Sequence, residues 1–430
     1  MKKIIFITLV LASQLVLAGE ELTGNPERKR ENSGGITELV YKKFEKILEM
    51  IADNKYHEAR VDLNQLKAKR LNDYENANVE QYLGWIDAGE EKYADAIKHY
   101  QAALASDALP NLTHFSLMLQ IASLQSALGQ YQETIDSLHK YYKVTDKIKD
   151  TTFAMEGNAY AQLNQYKKAI PLFIKAIALS DEPREQWMYM LYSLHMELSQ
   201  FQEAANVLEK LIEINPNKRD YWIRLYSVYF NLKQDKKALA TLVLADKNGL
   251  LDDEKNRLTL YKMYALMEVP YKAGQVLEDG LKKGIVKPSF KHWDSLGKVW
   301  YSAAEMDKAL EAFDEASKLA TDGKIDFQRA NIYFEREDWK KAKQALREAI
   351  EKGGLTETQF GNTWLLLGMV ESEMGNIPGA IEALKSAKNY KNARKNAIQW
   401  IDHLEKKYAR QKAQQEREQI LTDAVEGTGG

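Results

Sequence analysis

Read for apolar and polar positions, the chain repeats one phrase: a turn, an aromatic, two mostly polar residues and an alanine. The phrase occurs as Tyr56 with Ala59, Tyr93 with Ala96, Tyr166 with Ala169, Phe201 with Ala204 and Trp339 with Ala342. Tyr131 is followed by Thr134, while Asp235 with Ala238, Pro270 with Ala273 and Met306 with Ala309 replace the aromatic, and Ile377 with Ala380 completes the set. Ten copies stand 33 to 38 residues apart. That period has room for two helices and tight turns, and it overrides the two or three domains that 430 residues would otherwise suggest.

Twelve residues before the small residue of the second helix, several copies place another one: Gly84, Ala122, Gly157, Gly297, Ala330 and Gly368. The spacing predicts helical hairpins in which small residues face each other and let two backbones approach closely. Three positions further on stands a ring in Tyr160, Tyr229, Tyr264, Trp300 and Tyr333, and four positions before the small site stand Trp293 and Trp364. These rings share a helical face and are expected to cover apolar area between hairpins. Pro216 is placed to stop a second helix, with Pro110 and Pro183 near equivalent exits. In three central copies Tyr192, Tyr226 and Tyr261 take the small site, which leaves two readings open: wider packing, or a register slipped onto Ser193 and Ser227.

Composition narrows the function classes. The 60 basic and 62 acidic residues give a formal charge of -2, and no concentrated basic face argues for nucleic acid as a partner. Residues 1–18 pair Lys2 and Lys3 with an apolar run and end in Val16-Leu17-Ala18, the form of a secretory signal cleaved after Ala18. The expected location is therefore the periplasm. Without cysteine the chain has no site for lipidation at a cysteine and no thiolate ligand or nucleophile. No His-Glu-x-x-His arrangement and no phosphate loop occurs, so the reading is a non-enzyme with no cofactor and no metal.

The phrases Trp293, Leu296, Gly297, Trp300, Ala309, Phe313, Ala316 and Trp364, Leu367, Gly368, Ala380, Ala387 resemble the tetratricopeptide repeat family over residues 37–389. The resemblance implies an all-α fold, a TPR-like αα-solenoid built as a right-handed superhelix of helical hairpins. Narrower phrases, Val269-Pro270-Tyr271-Lys272-Ala273 and Val276-Leu277-Glu278-Asp279-Gly280 among them, resemble the bacterial tetratricopeptide proteins assigned to the TonB system. That implies a periplasmic protein-binding scaffold, an accessory of the TonB–ExbB–ExbD machinery that energises outer-membrane transport of iron complexes, with TonB, ExbB, ExbD or an outer-membrane receptor as partner. A structural adaptor in envelope or polysaccharide assembly is the other reading.

The boundaries expected are a signal peptide at 1–18, a flexible leader at 19–36, ten repeats at 37–389, a capping helix at 390–412 carrying Ala397, Trp400, Leu404 and Tyr408, and a charged, disordered tail at 413–430. The family's groove positions fall on first helices. Carried over, they are Asn78, Gln81, Trp85, Ala154, Asn158, Gln186, Tyr189, Ile223 and Phe230, then Lys291, Lys298, Tyr301, Lys324, Phe327, Asn331 and Phe334, and last Asn362, Leu365 and Met369. Their amides can pair with a ligand backbone and their rings supply apolar contact. The group from Lys291 to Phe334 is the richest, with three lysines for an acidic segment and three rings beside them.

Overall fold

The structure is a computed structural model that describes residues 35–427, apart from 147 and 183. The expected signal peptide, most of the leader and Pro183 lie outside the described residues. Every regular element among them is a helix, and they fall into two compact units, 1–234 and 235–430. The first unit holds α1 (Glu38–Ala52), α2 (Tyr56–Lys67), α3 (Asp73–Gly89), α4 (Tyr93–Ala105), α5 (Asn111–Ala127), α6 (Tyr131–Tyr142), α7 (Asp150–Gln162), α8 (Tyr166–Leu179), α9 (Glu185–Glu197), α10 (Phe201–Ile214) and α11 (Arg219–Asn231). The second holds α12 (Asp235–Lys247), α13 (Glu254–Leu266), α14 (Pro270–Lys282), α15 (Phe290–Ser302), α16 (Met306–Leu319), α17 (Lys324–Glu335), α18 (Trp339–Lys352), α19 (Glu357–Glu373), α20 (Ile377–Ala387) and α21 (Arg394–Gly427). None of the described helices is long and apolar enough to cross a membrane.

All ten second helices open on the residue that begins the repeated phrase, from Tyr56 to Ile377. Two residues before each opening the backbone turns left-handed, at Asn54, Glu91, Gly129, Asn164, Ser199, Lys233, Glu268, Ala304, Glu337 and Gly375. The next amide then reaches back to a carbonyl five residues earlier, as in Lys92 N–H to Asp87 O at 2.8 Å and Glu305 N–H to Trp300 O at 2.9 Å. This is the Schellman closure, which satisfies the last carbonyls of the first helix and sets the exit angle. Two of the ten left-handed residues are glycines and two, Asn54 and Asn164, are asparagines that tolerate the region, so six turns hold a side chain in a conformation that costs about 1–2 kcal/mol. The turn geometry is therefore imposed by packing.

Every small site of the phrase, Ala59 through Ala380 with Thr134, is fully buried. The like-with-like approach expected from the sequence is kept at Gly368, where a Cβ would meet the Ala380 carbonyl at 3.2 Å, but the glycines chiefly face something larger. A Cβ on Gly84 would stand 2.4 Å from the Tyr100 ring, one on Gly297 2.4 Å from Phe313, one on Gly157 3.0 Å from Phe173 and one on Gly368 2.5 Å from Leu384. Each glycine is a notch for the large residue one turn beyond the second helix's small site. Where the notch is only as small as Ala122 or Ala330, the equivalent large residue is Leu138 or Leu346, and all are buried. The glycine hairpins approach more closely along their length than those of Tyr192 and Tyr261. Tyr192 is buried five residues before its helix end, as Gly157 and Gly297 are, so the register is kept and the packing is wider.

Successive hairpins are joined by buried charges. On first helices, Glu80 receives Lys67 at 2.5 Å, Asp87 receives Arg60 at 2.7 Å, and Glu371 receives Lys343 at 2.8 Å, each base coming from the preceding second helix. Other seams reverse the sign: Arg257 meets Asp246, and Arg329 meets Asp314 at 2.6 Å. Arg257 stands at the repeat position of Glu80, and Arg329 at that of Glu156.

The final helix differs from expectation. It begins at Arg394 and runs through Gly427, so the stretch from 413, expected to be disordered, continues the helix to that point. Its Glu, Gln, Lys and Arg are good helix formers, and i,i+4 contacts such as Lys406–Asp402 and Gln414–Glu418 support it. Ala397 and Leu404 cover the last hairpin beside Leu384, whereas Tyr408 is exposed.

Gly297→Ala should destabilise the second unit by about 1–3 kcal/mol. Adding Phe313→Leu should recover at least about 1 kcal/mol relative to the sum of the two single changes. Guanidinium denaturation of the four proteins measures this, and simple additivity would show that notch and ring do not define each other.

A second expectation concerns acid. Burial opposes ionisation of Glu371, but hydrogen bonds from Lys343 and Asn376 and the charges of Lys343 and Arg347 outweigh it and hold its pKa below the ordinary 4.5. A carboxyl lowered on folding stabilises above its unfolded pKa, and that stability is lost as pH falls through the folded value. Glu371→Gln should therefore be less stable than wild type at neutral pH, with the gap narrowing below about pH 4.5. Urea titrations at neutral and acid pH would register the narrowing, and a constant gap would contradict it.

Candidate functional site

In the first unit, α7 and α9 are neighbouring first helices, and the sequence sets Ala154, Asn158 and Gln186 on their outward turns. The structure brings all three to one concavity of about 280 Å3. Met155 and Met190 line it with Trp187, and the Arg184 guanidinium lies 4.5 Å above the Trp187 ring. Ala154 is buried and leaves space, while Gln186 is exposed and Asn158 half-buried. Among the described residues neither amide has a hydrogen-bond partner. Each can therefore both donate to and accept from an extended backbone. The two methionines and the tryptophan give an adaptable apolar wall.

Sequence reasoning missed Arg184, Trp187 and both methionines. Their signal was present: Met155 follows Ala154, and Trp187 and Met190 sit one residue and one turn beyond Gln186.

Other positions carried over from the family are placed differently. Asn78 and Gln81 are buried, and Asn78 donates to the Tyr74 carbonyl at 2.7 Å, so these amides serve the interior of the first unit. Trp85 leans on Tyr82 at 5.2 Å between ring centres. Tyr189 belongs to a stack, 5.6 Å from Tyr192 and 6.4 Å from Tyr221, with the Arg224 guanidinium 5.3 Å from its ring. Ile223 is half-buried, and Phe230 is exposed beside Tyr226. In the last repeat Asn362 accepts from Asn392 at 2.8 Å, Leu365 packs in the cluster that includes Ala397 and Leu404, and Met369 is half-buried.

The group from Lys291 to Phe334 divides. Lys291, Lys298 and Lys324 are exposed, Lys298 pairing with Asp294 at 2.6 Å and Lys324 with Asp322 at 2.7 Å. Tyr301 is 43% exposed. Phe327 and Phe334 instead pack against the core of the second unit, Phe334 edge-on to Trp339 at 5.4 Å, and Asn331 donates to the Phe327 carbonyl at 2.6 Å. Two rings expected on the binding surface are thus largely absorbed between hairpins, and the remaining chemistry is a tyrosine among lysines. A concavity of about 890 Å3 in this unit opens instead among the second helices α14, α16 and α18.

The comparisons with known proteins can be set beside this geometry. The family model of the tetratricopeptide repeat matches residues 151–183 and 188–218, which include Ala154, Asn158 and Met190 of the α7–α9 concavity but not Arg184, Gln186 or Trp187. No curated protein matches the chain. Among solved structures, a tetratricopeptide repeat protein from Parabacteroides merdae is 15% identical, covering 57% of this chain and 93% of its own, with a TM-score of 0.35. MamA from Desulfovibrio magneticus is 17% identical over 43% of this chain and 99% of its own, with a TM-score of 0.37. The C-terminal part of a TPR repeat-containing protein from Cytophaga hutchinsonii is 16% identical over 64% and 95%, with a TM-score of 0.36. Ten helical hairpin phrases hold one register among the described residues, two of them carry the match to the tetratricopeptide repeat model, and the fold is all-α and TPR-like.

Proposed function

We propose that the protein is an exported scaffold that holds other proteins through extended segments laid along its first helices. The observation that carries this reading is the pair of unsatisfied amides, Asn158 and Gln186, at one concavity beside Trp187 and two methionines. An extended segment offers alternating N–H and C=O groups that such amides can bond, while its side chains enter the apolar part. The exposed lysines and Tyr301 of the second unit suit an acidic segment.

The finer reading is a periplasmic accessory of the TonB–ExbB–ExbD system that organises its components or modulates their contact with an outer-membrane receptor. It is supported by the signal-like residues 1–18 and by the phrases at 269–273 and 276–280. A surface of many modest contacts suits such a task, and the energy would come from the membrane machinery.

Cross-linking in the periplasm, followed by identification of the captured proteins, tests both levels. The mature chain should begin at Gly19, and TonB, ExbB, ExbD or a receptor should be among the captured neighbours. Asn158→Ala with Gln186→Ala should keep the helical signal and lower capture about tenfold, the loss of one or two backbone hydrogen bonds. Capture restricted to envelope-assembly proteins would reject the TonB reading, and undiminished capture by the double variant would remove this concavity from the binding surface.

A further inference from the structure

Each unpaired amide of the first-unit concavity has a methionine one helical turn away. Met155 stands three residues before Asn158 on α7, and Met190 four residues after Gln186 on α9. Residues at those spacings share a helix face, with Cβ atoms about 5–6 Å apart. Both methionines are half-buried and line the concavity, whereas Met188, on the same helix as Met190, is 5% exposed and belongs to the interior. The space of about 280 Å3 is many times the roughly 10–15 Å3 that one water needs. A small solute can therefore reach both sulfurs.

A thioether is apolar and accepts hydrogen bonds only weakly. Hydrogen peroxide changes that: its O–O bond breaks, one oxygen forms a bond to sulfur, the sulfur loses two electrons, and the other oxygen leaves as water. The product is a sulfoxide, a polar acceptor set into the apolar part of the wall with Ala154, Phe173 and Trp187. A polar atom in such a place needs a donor. The amides of Asn158 and Gln186, one turn away and without a partner among the described residues, supply it. Three rotatable bonds in each methionine side chain let the new oxygen turn towards its amide.

We propose that Met155 and Met190 are a reversible oxidation site that closes this concavity to its ligand. The sulfoxide oxygens take the Asn158 and Gln186 donors that an incoming main chain would use, and the apolar wall loses two of its members. Methionine sulfoxide reductases restore the thioether: a dithiol gives up two electrons and two protons, becomes a disulfide, and the oxygen leaves as water. This control presupposes the docking of an extended segment already proposed for Asn158 and Gln186, and it adds the condition that ends that docking.

Two readouts on the full chain test it. Peptide mass mapping follows oxidation, and fluorescence anisotropy follows binding of a blocked, labelled hexapeptide of alternating Leu and Ser. In dilute hydrogen peroxide Met155 and Met190 should each gain one oxygen atom before Met188 does, and the hexapeptide should then bind about tenfold more weakly, the loss of one or two hydrogen bonds. Incubation with both epimer-specific sulfoxide reductases and dithiothreitol should return the affinity. Met155→Leu with Met190→Leu keeps the apolar volume, so this variant should retain its helical content, bind the hexapeptide as wild type does, and hold that affinity through peroxide treatment. Absent binding to the reduced wild-type chain would defeat the docking reading, and this control with it. Equal binding before and after oxidation, or the same loss in the leucine variant as in wild type, would overturn this control alone.

Discussion

A ring or leucine seated in a notch on the facing helix is the contact on which the hairpins of Gly84, Ala122, Gly157, Gly297, Ala330 and Gly368 depend. Tyr100 over Gly84, Phe173 over Gly157 and Phe313 over Gly297 fill space that a single methyl group would close. Once that fit is made, the crossing of the two helices is fixed and the remaining rings are carried to the surface where the next hairpin arrives. The left-handed turns follow from it. Glu91, Ala304 and Glu337 have no intrinsic preference for that conformation, and they adopt it because the helices they connect are already placed.

The repeat period and the start of every second helix were legible in the sequence, because buried alanines recur where a helix must touch its partner. The partner of each glycine was not legible. Small residues twelve apart suggested each other, whereas the space left by a glycine is claimed by the bulky residue one turn further along. The turns were hidden for a related reason: only Gly129, Gly375, Asn54 and Asn164 announce a left-handed residue, and the other six are ordinary side chains held there by tertiary packing.

The placement of the carried-over groove positions was legible only in part. Ala154, Asn158 and Gln186 came together at one concavity. Asn78 and Gln81 occupy the same kind of position, but surrounding bulk buries them, and a polar name says nothing about local depth. Phe327 and Phe334 err the other way, as rings drawn into the gap between hairpins. The narrower phrase at 276–280 encodes packing too, its Gly280 lying against Val286 and Arg257.

The seams between hairpins have a consequence for how such a chain can be rearranged. Notch and ring belong to one hairpin, so a hairpin carries its own shape wherever it is moved. The charge at its edge is another matter: Glu80 expects a base from its predecessor, while Arg257, at the same position, expects an acid. Transplanting one repeat into the other's place would bring two like charges together at the seam and leave the buried one without its partner. Repeat order is thus written in electrostatics, as a polarity code that permits some adjacencies and forbids others.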